Sequence, residues 1–122
     1  MKIIEQEEVR KLLQPKDCIQ LMAEALKGLE SGEYAQPARL ITVMPNTAKF
    51  GFMPAYVGDY FGAKVISAFA PNMGTKYPSH IGYVMLFESA HSTVAGMIEA
   101  GSITEIRTGA VSAAAVSYTH LT

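Results

Sequence analysis

Three basic residues of this chain sit where the pattern around them calls for none, and together they could bind an anion. Lys64 interrupts "FGAKVISAFA", a run that is apolar on both faces of any strand it forms. Burying an ammonium there without a partner costs roughly several kcal/mol. Lys64 therefore needs a nearby acid, an anionic ligand, or an edge position from which its stem reaches water. Few acids are placed to help: Asp59 precedes Lys64 in the turn, and Glu88 and Glu99 sit near strand ends. Arg39 opens a strand and shares a face with Ile41 and Val43. Ser102 and Glu105 have the spacing of a helix capping box, which puts Arg107 in the first turn of the helix they announce. A cation there opposes the helix dipole unless an anion is bound, because helix N-termini favour carboxylates and phosphates. Plainer readings stand beside this one: Arg39 as an exposed strand-start residue, and Arg107 paired with Glu105 or Glu99.

Other chemistry finds little support. His80, His91 and His120 have no metal-ligand spacing, and the single Cys18 excludes both an internal disulfide and a cysteine-rich zinc site. No metal site is expected. Met44, Met53, Met73, Met85 and Met97 suit core or pocket filling. There is no G-x-S-x-G and no Walker motif. The ten glycines never stand two apart, so a G-x-G-x-x-G dinucleotide loop is missing.

The elements that must position the three cations read as α+β. Val9, Leu12 and Leu13 recur at helical spacing, and Pro15 suits the first turn of a second helix. In that helix Ile19, Met22, Leu26 and Leu29 form one stripe, and "SGEYAQP" ends it. "ARLITVMP", "KFGFMPAY", "FGAKVISAFAP", "SHIGYVMLFE" and "TVAGMIE" read as five strands, mostly antiparallel because their connections are short. "GSITEIRTGAVSAAA" returns to helix. The expected fold is thus N-terminal helices, a mostly antiparallel sheet of about five strands, and a C-terminal helix.

The 122 residues fit one domain, and 49% hydrophobic against 17% charged residues marks a folded chain. Ten basic and eleven acidic residues give a net charge of −1 with no basic block, so nothing points to nucleic acid. No apolar run has membrane-spanning length, and no signal peptide is visible in "MKIIEQEEVRKLL". A cytoplasmic location is expected.

The stretch from "FMPAY" through "GAKVISAFAPN", "YPSHIGYVMLFE" and "SITEIRTGAVSAAA" resembles the ornithine cyclodeaminase/mu-crystallin family, and "QPARL" fits it too. The ordered set Met-Pro-Ala, Gly-x-Lys, Pro-Asn, Pro-Ser and Ile-Arg-Thr carries the resemblance over roughly residues 1 to 115. It implies that Arg39, Lys64 and Arg107 bind the carboxylate of an amino or imino acid, and that Met53 lines the pocket. It implies further that Ser79, Arg107 and Thr108 lie on the side of a nicotinamide cofactor, NAD(H) or NADP(H). Most of that cofactor would be held by a Rossmann domain, which also carries the catalytic aspartate and lies outside these residues. The implied activity is conversion of ornithine to proline with loss of ammonia. An alanine dehydrogenase-like or ketimine reductase-like oxidoreductase and a non-catalytic, mu-crystallin-like binding protein are the alternatives. A homodimer formed through the sheet is also implied.

Two departures qualify the resemblance. Cyclising members carry an acid two positions before the Met of Met-Pro, where this chain has Gly51. The closing "VSYTHLT" replaces the family's helix continuation. The expectation is therefore a truncated substrate-binding and dimerisation domain over residues 1–115, a tail foreign to the family over 116–122, and no activity from this chain alone.

Overall fold

The computed structural model describes residues 1–121, with side chains described at all of these except 111 and 114–121. The tail expected over 116–122 falls there: its backbone is helical to Leu121, while its side chains and Thr122 lie outside the described residues.

In chain order the elements are β1 (Lys2–Ile4), α1 (Gln6–Leu12), α2 (Pro15–Ser31), β2 (Leu40–Val43), β3 (Lys49–Tyr56), β4 (Tyr60–Ala68), a short 3-10 turn (Ala70–Asn72), β5 (His80–Glu88), β6 (Val94–Glu99) and α3 (Ala100–Leu121). All five expected strands form, and the expected α+β class holds. A sixth strand, β1, was not expected. It runs parallel to β6, pairing Lys2 with Gly96 and Ile4 with Ile98. Three residues are too few to show a period of two, and the partner lies more than ninety positions away. The sheet order is β1-β6-β5-β4-β3-β2, antiparallel throughout except at that edge.

Local chemistry sets the helix limits. α1 has Glu7 and Glu8 in its first turn and Arg10 and Lys11 in its last, both favourable to the dipole. Pro15 starts α2 and Gly32, at φ 81°, ends it in the left-handed conformation that glycine adopts without strain. The expected stripe on α2 is only half buried. Ile19 and Met22 turn inward beside the buried Cys18 and Gly28, whereas Leu26 and Leu29 remain 44% and 40% exposed. Gly28 lies against the Tyr34 ring, with no room there for a β-carbon.

Directly paired residues of antiparallel strands share a face. Gly51 with Ile66, Met53 with Lys64, Ile66 with Gly82 and Lys64 with Val84 therefore define one face of the sheet. α3 covers it: a β-carbon on Gly82 would meet that of Ala100 at 3.5 Å. α2 packs on α3. The opposite face carries Phe50, Phe52, Tyr83, Met85 and the stacked pair Phe61 and Phe87, whose ring centroids are 5.3 Å apart. Phe50 and Phe52 are 43% and 45% exposed.

Candidate functional site

Between α3 and the covered face lies a cavity of about 630 Å³. Arg39, Lys64, Arg107 and Met53 all line it, so the three cations singled out in the sequence converge on one space. Val84, Leu86 and Ile103 supply apolar wall, Thr104 and Gln36 add uncharged polar groups, and no carboxylate among the described residues lines it.

Each cation arrives by a different route. Lys64 is at the centre of β4, half-buried, and directed by strand alternation to the α3 side opposite Met53 and Val84. Arg39 stands one residue before β2 rather than within it. Arg107 comes from α3, but not from its first turn. The helix begins at Ala100, so Arg107 is its eighth residue, at the start of the third turn. The dipole effect fades within the first turn, and Arg107 must act through its own charge.

The capping box is also overturned. Glu99, the last residue of β6, accepts hydrogen bonds from the backbone N–H of Gly101 at 2.6 Å and of Ser102 at 3.0 Å. Strand passes straight into helix with Glu99 as the cap. Ser102 is buried and its hydroxyl has no partner among the described residues. Glu105 instead accepts from Arg10 Nη2 at 2.7 Å.

No described acid pairs with Arg39, Lys64 or Arg107. The polar contact of Lys64 is a hydrogen bond from Nζ to Thr104 Oγ1 at 3.4 Å. Burial first, and then the charges of Arg107 and Arg39, hold its ammonium below the ordinary lysine range. Thr104 escaped the sequence reading. Its signal is position: it stands three residues before Arg107, hence on the same helical face, once the helix start is known.

Ser79 and Thr108 do not line this cavity. Ser79 ends the loop before β5, where its hydroxyl meets His80 Nδ1 at 3.3 Å and its carbonyl accepts from Phe69 N–H at 2.7 Å. Thr108 is exposed beside Arg107, its hydroxyl donating to the Thr104 carbonyl at 2.7 Å. A second cavity of about 470 Å³ adjoins the first across Lys64 and Thr104, which line both. Pro78 and His80, which flank Ser79, line it together with Glu5 and Glu99. Those two acids are engaged: Glu5 accepts from Tyr83 Oη at 2.8 Å, and Glu99 caps α3. Cys18 is buried, and burial pushes its thiol up against a smaller opposing effect of Arg107.

Of the three residues expected on the side of a nicotinamide dinucleotide, Arg107 alone lines the cavity. Arg107 offers a guanidinium free of described acids, and the exposed Thr108 hydroxyl keeps lone pairs to accept a bond. The guanidinium suits an anionic part of such a group, and the hydroxyl oxygen a part that donates. The described helices include none long and apolar enough to cross a membrane.

Comparison with known proteins agrees with the fold and the motifs. The sequence profile of the ornithine cyclodeaminase/mu-crystallin family matches residues 1–121. Ketimine reductase mu-crystallin of Mus musculus is 32% identical over 97 residues, which cover 77% of this chain and 31% of that protein. Δ1-pyrroline-2-carboxylate reductase of Thermococcus litoralis, solved with NADH and L-proline, superposes with a TM-score of 0.84 at 26% identity, over 92% of this chain and 36% of that one. The iminosuccinate reductase of Paracoccus denitrificans, solved with NAD+, gives a TM-score of 0.86 over 93% of this chain and 36% of that one; at 18% identity it speaks for the fold alone. This chain thus spans about a third of the length of the relatives it matches. It belongs to the ornithine cyclodeaminase/mu-crystallin family.

Proposed function

We propose that this chain forms the carboxylate-binding part of a nicotinamide-dependent enzyme acting on a small amino or imino acid. The observation that carries this is the convergence of Arg39, Lys64 and Arg107 on one cavity that no carboxylate lines. Arg39 and Arg107 present planar forks suited to two carboxylate oxygens, and Lys64 adds a point charge from the sheet. Met53, Val84, Leu86 and Ile103 shield the remainder of the substrate from water. Held at one end, the substrate keeps a single orientation of its Cα–N bond. The dinucleotide, NAD(H) or NADP(H), supplies hydride transfer at that bond, and Arg107, Thr108 and Ser79 would meet its edge. The 122 residues alone bind the carboxylate without turnover, since they match only a third of the relatives' length.

The lining favours a substrate with an uncharged side chain, handled as by an alanine dehydrogenase or a ketimine reductase. A side-chain ammonium would enter a cavity that already holds three cations and no acid. Gly51, where cyclising relatives carry the acid, is buried, and a β-carbon there would stand 2.7 Å from Ile66 Cγ1. Conversion of ornithine to proline is the second reading. It is favoured by Glu5 and Glu99 in the adjoining cavity, although both are already bonded.

We further propose that a second copy covers the sheet face bearing Phe50 and Phe52, giving a homodimer, which sedimentation equilibrium would test. The carboxylate reading is tested by calorimetric titration of pyruvate into the wild-type chain and into Arg107→Met. A charge-assisted hydrogen bond is worth about 1.5–3 kcal/mol, so a loss of roughly 10- to 150-fold is expected. Unchanged affinity would refute the site. Binding of pyruvate by a full-length protein that shows no hydride transfer would favour the non-catalytic binding protein.

A further inference from the structure

The cavity confines three cations and offers one of them, Lys64, no counter-charge. Arg39 approaches from the segment before β2, and Arg107 from α3. β3 and β5 turn only uncharged side chains, Met53 and Val84, toward the lysine, and α3 adds the Thr104 hydroxyl. On the side of the second cavity stand Glu5, His80, Tyr83 and Glu99. Glu5 accepts from Tyr83 and Glu99 caps α3, and neither pairs with the amine. Cys18, which feels the Arg107 charge, is a buried thiol on α2. Guanidinium groups do not release protons in the working range, so Lys64 is the member of the cluster that can relieve the repulsion by losing one.

We propose that binding of a carboxylate in this cavity is coupled to uptake of a proton by Lys64. The inference rests on the carboxylate site described above and adds how that site changes on filling. In the free chain the repulsion falls on the lysine, and as pH rises towards the ordinary lysine range it is the first of the three to become neutral, its amine still within reach of Thr104. An entering carboxylate supplies the missing negative charge, and Nζ takes a proton from solvent to complete the ion pair. The direction of the Lys64 shift in the empty site agrees with this. The site thereby admits its ligand as an anion plus a proton. Its affinity weakens as pH rises above the point where the free lysine discharges, by up to about tenfold per pH unit for a single titrating group.

The test uses the whole chain and pyruvate, whose own carboxyl stays ionised throughout. Calorimetric titrations between about pH 7 and pH 10 are run in pairs of buffers with different ionisation enthalpies, none of them a carboxylate or phosphate. The expected result is proton uptake that grows with pH and is abolished in Lys64→Arg, which keeps the cation but cannot titrate. Uptake that survives in Lys64→Arg places the proton elsewhere and overturns the proposal. Pyruvate binding with no uptake at any pH overturns it too, leaving the carboxylate site intact. Absence of binding overturns both. A readout free of variants is the Lys64 Cε resonance in 13C-lysine-labelled chain. Its titration midpoint must rise on saturation with pyruvate, and an unmoved midpoint refutes the coupling.

Discussion

Replacing Lys64 by Met should move stability and binding in opposite directions. In the empty site the ammonium is half-buried, holds one hydrogen bond of 3.4 Å to Thr104, and faces Arg39 and Arg107 without an acid. Methionine keeps most of the stem and removes the charge. Exchanging buried ionic groups for apolar ones of similar size gains about 1–4 kcal/mol, and the partial exposure of Lys64 puts this case at the low end, about 1 kcal/mol. For a domain of this size that raises the melting temperature by about 4 °C. The sign with pH follows from linkage. Lys64 has its folded pKa below the ordinary 10.5. Its penalty on folding is therefore fully present below the folded value and fades as pH rises through the ordinary 10.5, above which both states are neutral. Urea titrations at pH 7 and pH 10 should show the Met variant ahead at both, by a smaller margin at the second. In the same variant, pyruvate affinity should fall roughly 10- to 150-fold, the loss of one charge-assisted bond. A variant less stable than wild type at pH 7 would mean that Lys64 is held by favourable contacts within the fold, and the idea of an unneutralised site would be wrong.

Three further outcomes test the frame around the site. Gly62→Ala should destabilise the chain by about 1–3 kcal/mol in chemical denaturation, because its β-carbon would run into the Met85 carbonyl oxygen and stand 3.2 Å from Leu86 Cα in the paired strand. Glu99→Ala should lower stability by about 1–2 kcal/mol and speed amide exchange at Gly101 and Ser102, the two N–H groups it caps; unchanged exchange there would count against the cap. Glu88 accepts from Thr93 N–H at 2.9 Å, Thr93 Oγ1 at 2.7 Å and His91 N–H at 2.9 Å, and the Thr93 bonds chiefly hold its carboxyl below the usual range. Its contribution is present above the ordinary carboxyl pKa and lost as pH falls through the depressed one, so melting temperatures followed from pH 6 to pH 2 should fall less steeply in Glu88→Gln than in wild type.

What the sequence revealed and what it hid divide along the range of the interactions. The five long strands were legible because each carries its own β-branched and aromatic run between turn residues. Lys64 was legible because an ammonium in such a run violates the local pattern. Most of the errors concern partners far along the chain. β1 has two isoleucines and no strand signal until Gly96 to Ile98 lie beside it. Ser102 and Glu105 carry the spacing of a capping box, yet Glu105 is drawn to Arg10, 95 positions away, and Ser102 is buried. The true cap, Glu99, looked like the end of a strand, which it also is. Leu26 and Leu29 fit the apolar period of α2, but tertiary packing chose Cys18 and Gly28 to face inward.

The same contacts explain why the three cations remain unneutralised. Four acids near the site or its elements are committed elsewhere. Glu88 ties the β5–β6 hairpin, Glu99 caps α3, Glu105 pairs with Arg10, and Glu5 takes the Tyr83 hydroxyl. Arg39, Lys64 and Arg107 gain nothing for the fold from these arrangements, and Lys64 is penalised by them. A cluster that weakens the protein in this way, set between an apolar wall and a helix, is what the proposed carboxylate site requires, its neutralising charge supplied by the ligand. A structural role for the cations would have left at least one of those four acids turned towards them.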